Sequence, residues 1–154
     1  MKCTNSHSRG FTLVELVVTM VLIGILAAVA VPRMFDSNVF VSRGFYDEVV
    51  NAARYGQKLA VASGCNVEFS IAGGRYELHQ AATCSGGPPY NQPVPEPAGS
   101  DPFAAAAPAG VILASIPASP IVFDSLGRAS GNFIVTVGDR SFTIAGESGY
   151  VGGL

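Results

Sequence analysis

Glu15 is the one charged residue in a run of 21 residues, Phe11 to Val31, reading FTLVELVVTMVLIGILAAVAV. A carboxylate in such a run costs about 3 kcal/mol on insertion scales, so it needs a partner or a place near the interface. It lies four residues after Phe11. A cut between Gly10 and Phe11 would create an α-amino group at that level. This cation could pair with the Glu15 carboxylate of a neighbouring copy in a low-dielectric layer. The alternative is a carboxylate that simply reaches headgroup water, and the residues alone leave both readings open. Other chemistry is sparse. His79 is the one histidine after residue 10 and falls in a strand-like stretch beside Gln80, where a surface or pairing role is expected. Asp124, Asp139 and Glu147 lack the close D-x-D-x-D spacing of a calcium loop. No G-x-S-x-G, Walker A or H-E-x-x-H string occurs. No catalytic residue, metal or cofactor is expected.

The element that must carry Glu15 is the apolar run itself. As a helix its 21 residues would span about 31 Å, enough to cross the hydrocarbon core of a bilayer. The ten residues before it, MKCTNSHSRG, are polar and carry Lys2 and Arg9. A basic flank stays in the cytoplasm and sends the following chain across. A removed secretory signal is the competing reading. The run exceeds a usual signal core, and LAAVAVPRM offers no A-x-A-like site with a polar break, so a retained anchor fits better. The whole chain of 154 residues has a net charge of −2 and 13% charged residues, against about 25% in an ordinary soluble domain. The basic residues beyond the first ten do not cluster, which argues against a nucleic-acid partner.

Beyond the anchor the pattern changes twice. Pro32 lacks an N–H and should kink or end the first helix. Asp36, Ser37 and Asn38 precede a second helical pattern over 36–64, with Phe45, Val49, Ala52, Gly56, Leu59 and Ala60 on one narrow face and Gly64 as a stop. Asp47, Glu48, Asn51, Arg54, Gln57 and Lys58 mostly fall elsewhere around it. That face should pack on a sheet. Val67, Phe69 and Ile71 then alternate with polar residues, and Gly73-Gly74 predicts a hairpin into 75–78. Residues 86–110 hold seven of the ten prolines, which excludes a central strand and predicts a long surface loop. Strand-like runs resume at 111–116, 121–123, 133–137 and 141–145, with Gly127 and Asp139 at turns. A helix followed by antiparallel strands is an α+β arrangement. Cys65 and Cys84 flank the hairpin. A bridge between them closes a loop of roughly 20 residues, worth about 3 kcal/mol, in an oxidising compartment. Two buried thiols are the rival reading.

The string RG-FTLVE-LVVTMVLIGILAAVAVP resembles the N-terminus of type IV prepilins and type II secretion pseudopilins. The resemblance implies a leader, residues 1–10, cut by an inner-membrane prepilin peptidase after Gly10. It also implies N-methylation of Phe11, an assembly carboxylate at Glu15 and a helix kink at Pro32. Residues 11–35 become the transmembrane and assembly helix, 36–64 the amphipathic stem and 65–154 a β-rich head with the loop 86–110. The implied fold is pilin-like, a long N-terminal helix, half in the membrane and half amphipathic, packed on an antiparallel sheet. The segment SRGFYDEVVNAARYGQKLAVASGC, with FDSLGRASG and SFTIAGESGYV, is similar to the GspH-like minor pilins of the MshC type, from the mannose-sensitive haemagglutinin pilus. The implied partners are other pilin or pseudopilin subunits, the peptidase and an assembly platform. The implied location is the inner membrane, with the head in the periplasm, and then a surface filament. The competing functions are a type II secretion pseudopilin and a tip module that binds a surface, DNA or a secreted substrate. Exposure of Tyr90 and Phe103 would favour the tip module.

Overall fold

The fold was obtained as a computed structural model, which describes residues 11–34, 37–84, 87–118 and 120–153. The chain divides into two units, Met1–Asn38 and Val39–Leu154. The expected leader, residues 1–10 with Gly10, lies outside the described residues, as does Asp36.

In the first unit the apolar run forms α1, Leu13–Met34. The helix passes through Pro32 and stops at Met34, so the missing N–H does not end it at the proline. From Phe11 to Ala28 every residue is exposed. Thr19, a polar residue in that stretch, donates its hydroxyl to the Leu16 carbonyl at 2.9 Å and so needs no outside partner. Among the described residues no helix is long and apolar enough to cross a membrane. The described side chains of α1 run from Leu13 to Ala28, short of the Phe11–Val31 run in the sequence.

The second unit is built on α2, Ser37–Ser63. Its expected stripe is the buried face: Phe45, Val49, Ala52, Gly56 and Ala60 are buried and Leu59 is half-buried. Val50 and Ala53 are buried as well, so the face is wider than one narrow row. The extra width reflects what it covers. The strands form two antiparallel sheets rather than the single sheet expected. The first contains β1 (Val67–Ala72), β2 (Arg75–Gln80), β3 (Gln92–Pro93), β4 (Ala104–Ala106) and β6 (Ile121–Phe123), in the order β3-β2-β1-β6 with β4 also on β2. The second contains β5 (Leu113–Ile116), β7 (Phe133–Val137), β8 (Arg140–Ile144) and β9 (Val151–Gly153), in the order β5-β7-β8-β9. The chain enters the second sheet at β5, returns to the first at β6 and leaves it again. The two sheets therefore interlock around one apolar core with α2.

Period-two alternation puts Val67 and Phe69 of β1, Tyr76 and Leu78 of β2, and Phe133, Val135 and Val137 of β7 into that core. The Phe69 and Tyr76 ring centroids lie 5.8 Å apart. The β1–β2 hairpin pairs Ala72 with Arg75 across Gly73 and Gly74. Both glycines have positive φ, +58° and +73°, which a two-residue hairpin turn of the I′ kind requires.

Residues 87–110 depart from the loop expected over 86–110. They fold back along the outer edge of β2, where β3 pairs with His79 and Gln80 and β4 pairs with Arg75 to Glu77. The proline argument holds for a central strand. On an edge, a few residues with free donors are enough: Val94 donates its N–H to the Leu78 carbonyl at 3.0 Å, and Leu78 donates to the Phe103 carbonyl at 3.1 Å. Val94 is fully buried. Burial of one apolar side chain and a short ladder therefore anchor the segment despite its prolines.

The last strand, β9, was not expected from the sequence. It is held from α2 by residues whose positions suggested solvent. Arg54 donates from Nε and a terminal nitrogen to the Val151 carbonyl, at 3.3 and 3.1 Å. In the loops beside β9, Gln57 Nε2 donates to the carbonyls of Gly127 and Ser148, both at 3.0 Å. A Cβ at Gly149 would run into the Gly127 carbonyl oxygen, and φ there is +61°, so this crossing accepts glycine alone.

Candidate functional site

The N-terminal segment is the part of the chain whose chemistry the fold does not absorb. Phe11 and Thr12 precede the helix. The Glu15 N–H donates to Thr12 Oγ1 at 3.3 Å, and the Leu16 N–H donates to the Thr12 carbonyl at 3.2 Å. Thr12 is therefore the N-cap of α1, its hydroxyl satisfying an N–H that has no intrahelical partner. Glu15 falls at the third helical position, so Thr12-Leu13-Val14-Glu15 has the spacing of a capping box. Sequence reasoning passed over Thr12, although a Thr three residues before a Glu at the head of an apolar run was the available signal.

Only half of that box is closed. Thr12 caps the helix, but among the described residues the Glu15 carboxylate takes part in no hydrogen bond or ion pair. A carboxylate at a helix N-terminus is favoured by the macrodipole. That explains why its position is tolerable. Gly10, the other side of the expected cut, lies outside the described residues. Pro32 lies in α1, three residues before the expected end of that helix at residue 35, with no side-chain geometry described.

In the head, Cys65 and Cys84 form a disulfide that ties the end of α2 to the chain leaving β2. The Ser63 hydroxyl organises the same corner. It donates to the Leu59 carbonyl at 2.7 Å and accepts from Gln80 Nε2 at 2.8 Å. His79 stands in β2, as expected, opposite Glu68 and 3.8 Å from a Glu77 carboxylate oxygen. Desolvation by burial raises the Glu68 carboxyl above its ordinary value, and the nearby His79 charge opposes this. No group of three or more His, Cys, Asp or Glu among the described residues could hold a metal ion.

Two further features concern binding. Phe103 is half-buried, its ring 5.3 Å from Tyr55 and 6.2 Å from Tyr76, and Tyr90 is half-buried too. Phe103 thus anchors the edge segment on the core instead of standing free for a ligand. An open cleft of about 670 Å³ is bordered by Asp124, Arg128, Asn132 and Glu147. Its polar groups are largely engaged within the fold. Asp124 accepts from the Leu126 and Arg128 N–H groups at 2.9 and 2.8 Å and pairs with the Arg128 guanidinium at 2.8 Å. Asn132 Oδ1 accepts from the Gly146 N–H at 2.7 Å.

A capped apolar N-terminal helix in a chain with an α+β head of antiparallel sheets is a pilin-like architecture. Residues 5–31 match the prokaryotic N-terminal methylation motif family. The chain is also similar to the type IV narrow pilus major component PilA5 of Thermus thermophilus, with 40% identity over 54 residues, 35% of this chain and 47% of that protein. This chain thus spans about half the length of the curated relative it matches. No solved structure matches. The N-terminal segment is similar to that of type IV prepilin-like proteins.

Proposed function

We propose that the chain is a minor pilin subunit of a type IV filament, of the kind found in mannose-sensitive haemagglutinin pili, serving adhesion or motility. In this reading a prepilin peptidase removes residues 1–10, Phe11 becomes the methylated N-terminus, and residues 11–31 hold the subunit in the inner membrane with its head in the periplasm. Assembly platform proteins and other pilins are then its partners. The role is structural rather than enzymatic. The observation that carries the reading is the Glu15 carboxylate, without a partner among the described residues, at the capped start of an exposed apolar helix. Its natural counter-charge is the N-terminal amine that a cut before Phe11 would create on a neighbouring subunit.

The test separates assembly from insertion. Glu15→Gln removes a charge whose insertion cost is about 3 kcal/mol, so membrane levels and leader removal hold or rise. Assembly falls, because the neighbour's buried amine is left without a counter-charge, a loss of about 3–5 kcal/mol. The amount of subunit in sheared filaments, divided by its membrane pool, is the measurement. A ratio equal to that of the wild type rejects the pairing mechanism.

A further inference from the structure

The first turns of α2 carry apolar side chains that no described residue covers. Val39, Phe40 and Val41 are consecutive and exposed, Phe40 by 72%. On a folded surface such a run is a fault unless it has a use. Ile112, 69% exposed, stands at the same level from a distant part of the sequence. Its carbonyl accepts the Gly138 N–H at 2.8 Å, and a Cβ on Gly138 would meet Ser42 Oγ at 2.8 Å. We propose that this end of the head, through Phe40 and Ile112, rests in the headgroup layer of a lipid bilayer. The inference rests on the anchoring reading above and deepens it by giving the head a lipid contact of its own.

Position selects lipid as the occupant. Val39 comes eight residues after Val31, where the apolar run ends, a tether of at most about 28 Å. In an anchored chain the bilayer is within reach of this end in every copy, whatever other partners are present. The charges fit as well. Arg43 is exposed and has no ion pair among the described residues. Asp139 follows Gly138, and the Arg140 guanidinium lies 5.6 Å from the Tyr46 ring centre, one turn above Ser42. A zwitterionic headgroup layer offers phosphate to the arginines and ammonium to the aspartate, while apolar groups pass between. The other end of α2 gives the contrast. Val61 is 19 positions beyond Ser42, about 28 Å along the helix. Gly127 lies against it, and the neighbouring Leu126 is 73% exposed. Leu126 is as apolar and as bare as Ile112, but it sits at the end away from the anchor.

The chain contains no tryptophan, so one introduced tryptophan reports its own surroundings. The full-length chain is reconstituted in phosphatidylcholine vesicles whose acyl chains carry bromine, a contact quencher, close to the headgroups. Ile112→Trp is the decisive variant, because Ile112 is far from the anchor in sequence and reaches lipid only through the fold of the head. Its fluorescence is expected to fall by about half relative to unbrominated vesicles, as for an apolar face seated at the headgroup boundary. Phe40→Trp should be quenched as well. Leu126→Trp should keep its emission in both kinds of vesicle. All three positions are exposed, so the fold tolerates the substitutions. An Ile112→Trp chain that floats with the vesicles and is not quenched overturns the proposal, whether its tryptophan is open to aqueous acrylamide or shielded by a neighbouring copy. Quenching at Phe40 alone is that same result. Equal quenching at Leu126 and Ile112 overturns it too, since the head then meets the bilayer without a preferred end. A wild-type chain that fails to float with the vesicles rejects the anchoring reading, and the lipid contact with it.

Discussion

The two helices use much the same apolar vocabulary and treat it in opposite ways. In α2 the apolar residues recur on one side and are covered: Val49, Ala52, Ala53 and Ala60 are fully buried. In α1 they occupy nearly every position, and all described ones are exposed, Leu22 and Ile25 by 55% and 59%. A helix that is apolar all round gains nothing from one-sided packing and calls for an apolar environment on every side. The head therefore buries its own apolar residues, whereas the described ones of α1 remain exposed. The polar residues follow the same division. Arg54 and Gln57 of α2 donate to carbonyls within the chain, but the Glu15 carboxylate of α1 meets no donor or cation among the described residues.

Truncation at one site in each region puts that contrast to its hardest test. Phe69 is fully buried between the sheet and α2, in ring contact with Tyr76. Phe69→Ala is expected to destabilise the head by about 3–5 kcal/mol, the cost of lost transfer energy plus a cavity. Leu22→Ala should leave head stability within about 0.5 kcal/mol of the wild type. Denaturant unfolding of the detergent-solubilised chain, followed by a probe in the head, measures both. If Leu22→Ala weakens the head as much as Phe69→Ala does, the two regions are not energetically separate.

The disulfide sharpens the contrast from the side of the head. Cys65 and Cys84 are separated by 19 residues, and the closed loop contains the whole β1–β2 hairpin. Cys65→Ala with Cys84→Ala should lower stability by about 3 kcal/mol through the unfolded chain. Reduction of the wild-type protein should do the same without changing a residue. Insertion and leader removal, which belong to the other unit, are expected to be untouched. Equal denaturation midpoints for oxidised and reduced protein would contradict the role given to the bridge.

These features were not equally visible in the sequence. The hairpin was legible because its turn chemistry is local: two adjacent glycines at positive φ between alternating strands. The buried stripe of α2 and the runs of β6 and β7 were legible because periodicity reports one buried face. What escaped depends on contacts distant in sequence. β9 contains two glycines and carries little strand signal, and it is held by pairing with β8 and by Arg54. β3 and β4 were hidden by prolines, since composition cannot tell a free loop from one whose Val94 and Phe103 dock on an edge. The second sheet arises from chain crossings that no local pattern encodes. At the site, Glu15 stood out because charge is rare in apolar surroundings. Thr12 did not, because a hydroxyl there looks unremarkable until its hydrogen bond is seen.

The smallest effect expected concerns acid, and it again falls in the head. Asp124 closes the tight turn of residues 124–128. Burial pushes its carboxyl up, but hydrogen bonds from the Arg128 and Leu126 N–H groups and from the Arg128 guanidinium, with the Arg128 charge, outweigh this and hold it below its ordinary value of 3.8. A carboxylate depressed in the folded state adds stability that is fully present above its unfolded value and lost as pH falls through its folded value. The wild-type head should therefore lose stability below about pH 4, with Asp124 as one contributor. The pair is solvent-exposed, so the contribution is about 0.5–1 kcal/mol and shrinks in high salt. Asp124→Asn retains a side-chain oxygen for the Leu126 and Arg128 N–H groups and loses the charge. Its stability should be slightly lower at neutral pH and its decline toward acid shallower, the two curves converging as Asp124 protonates in the wild type. The check is thermal unfolding of both proteins across acid pH at low and high salt. If the slopes remain parallel at low salt, Asp124 does not couple protonation to folding, and the turn is held by its backbone bonds and Gly127 alone.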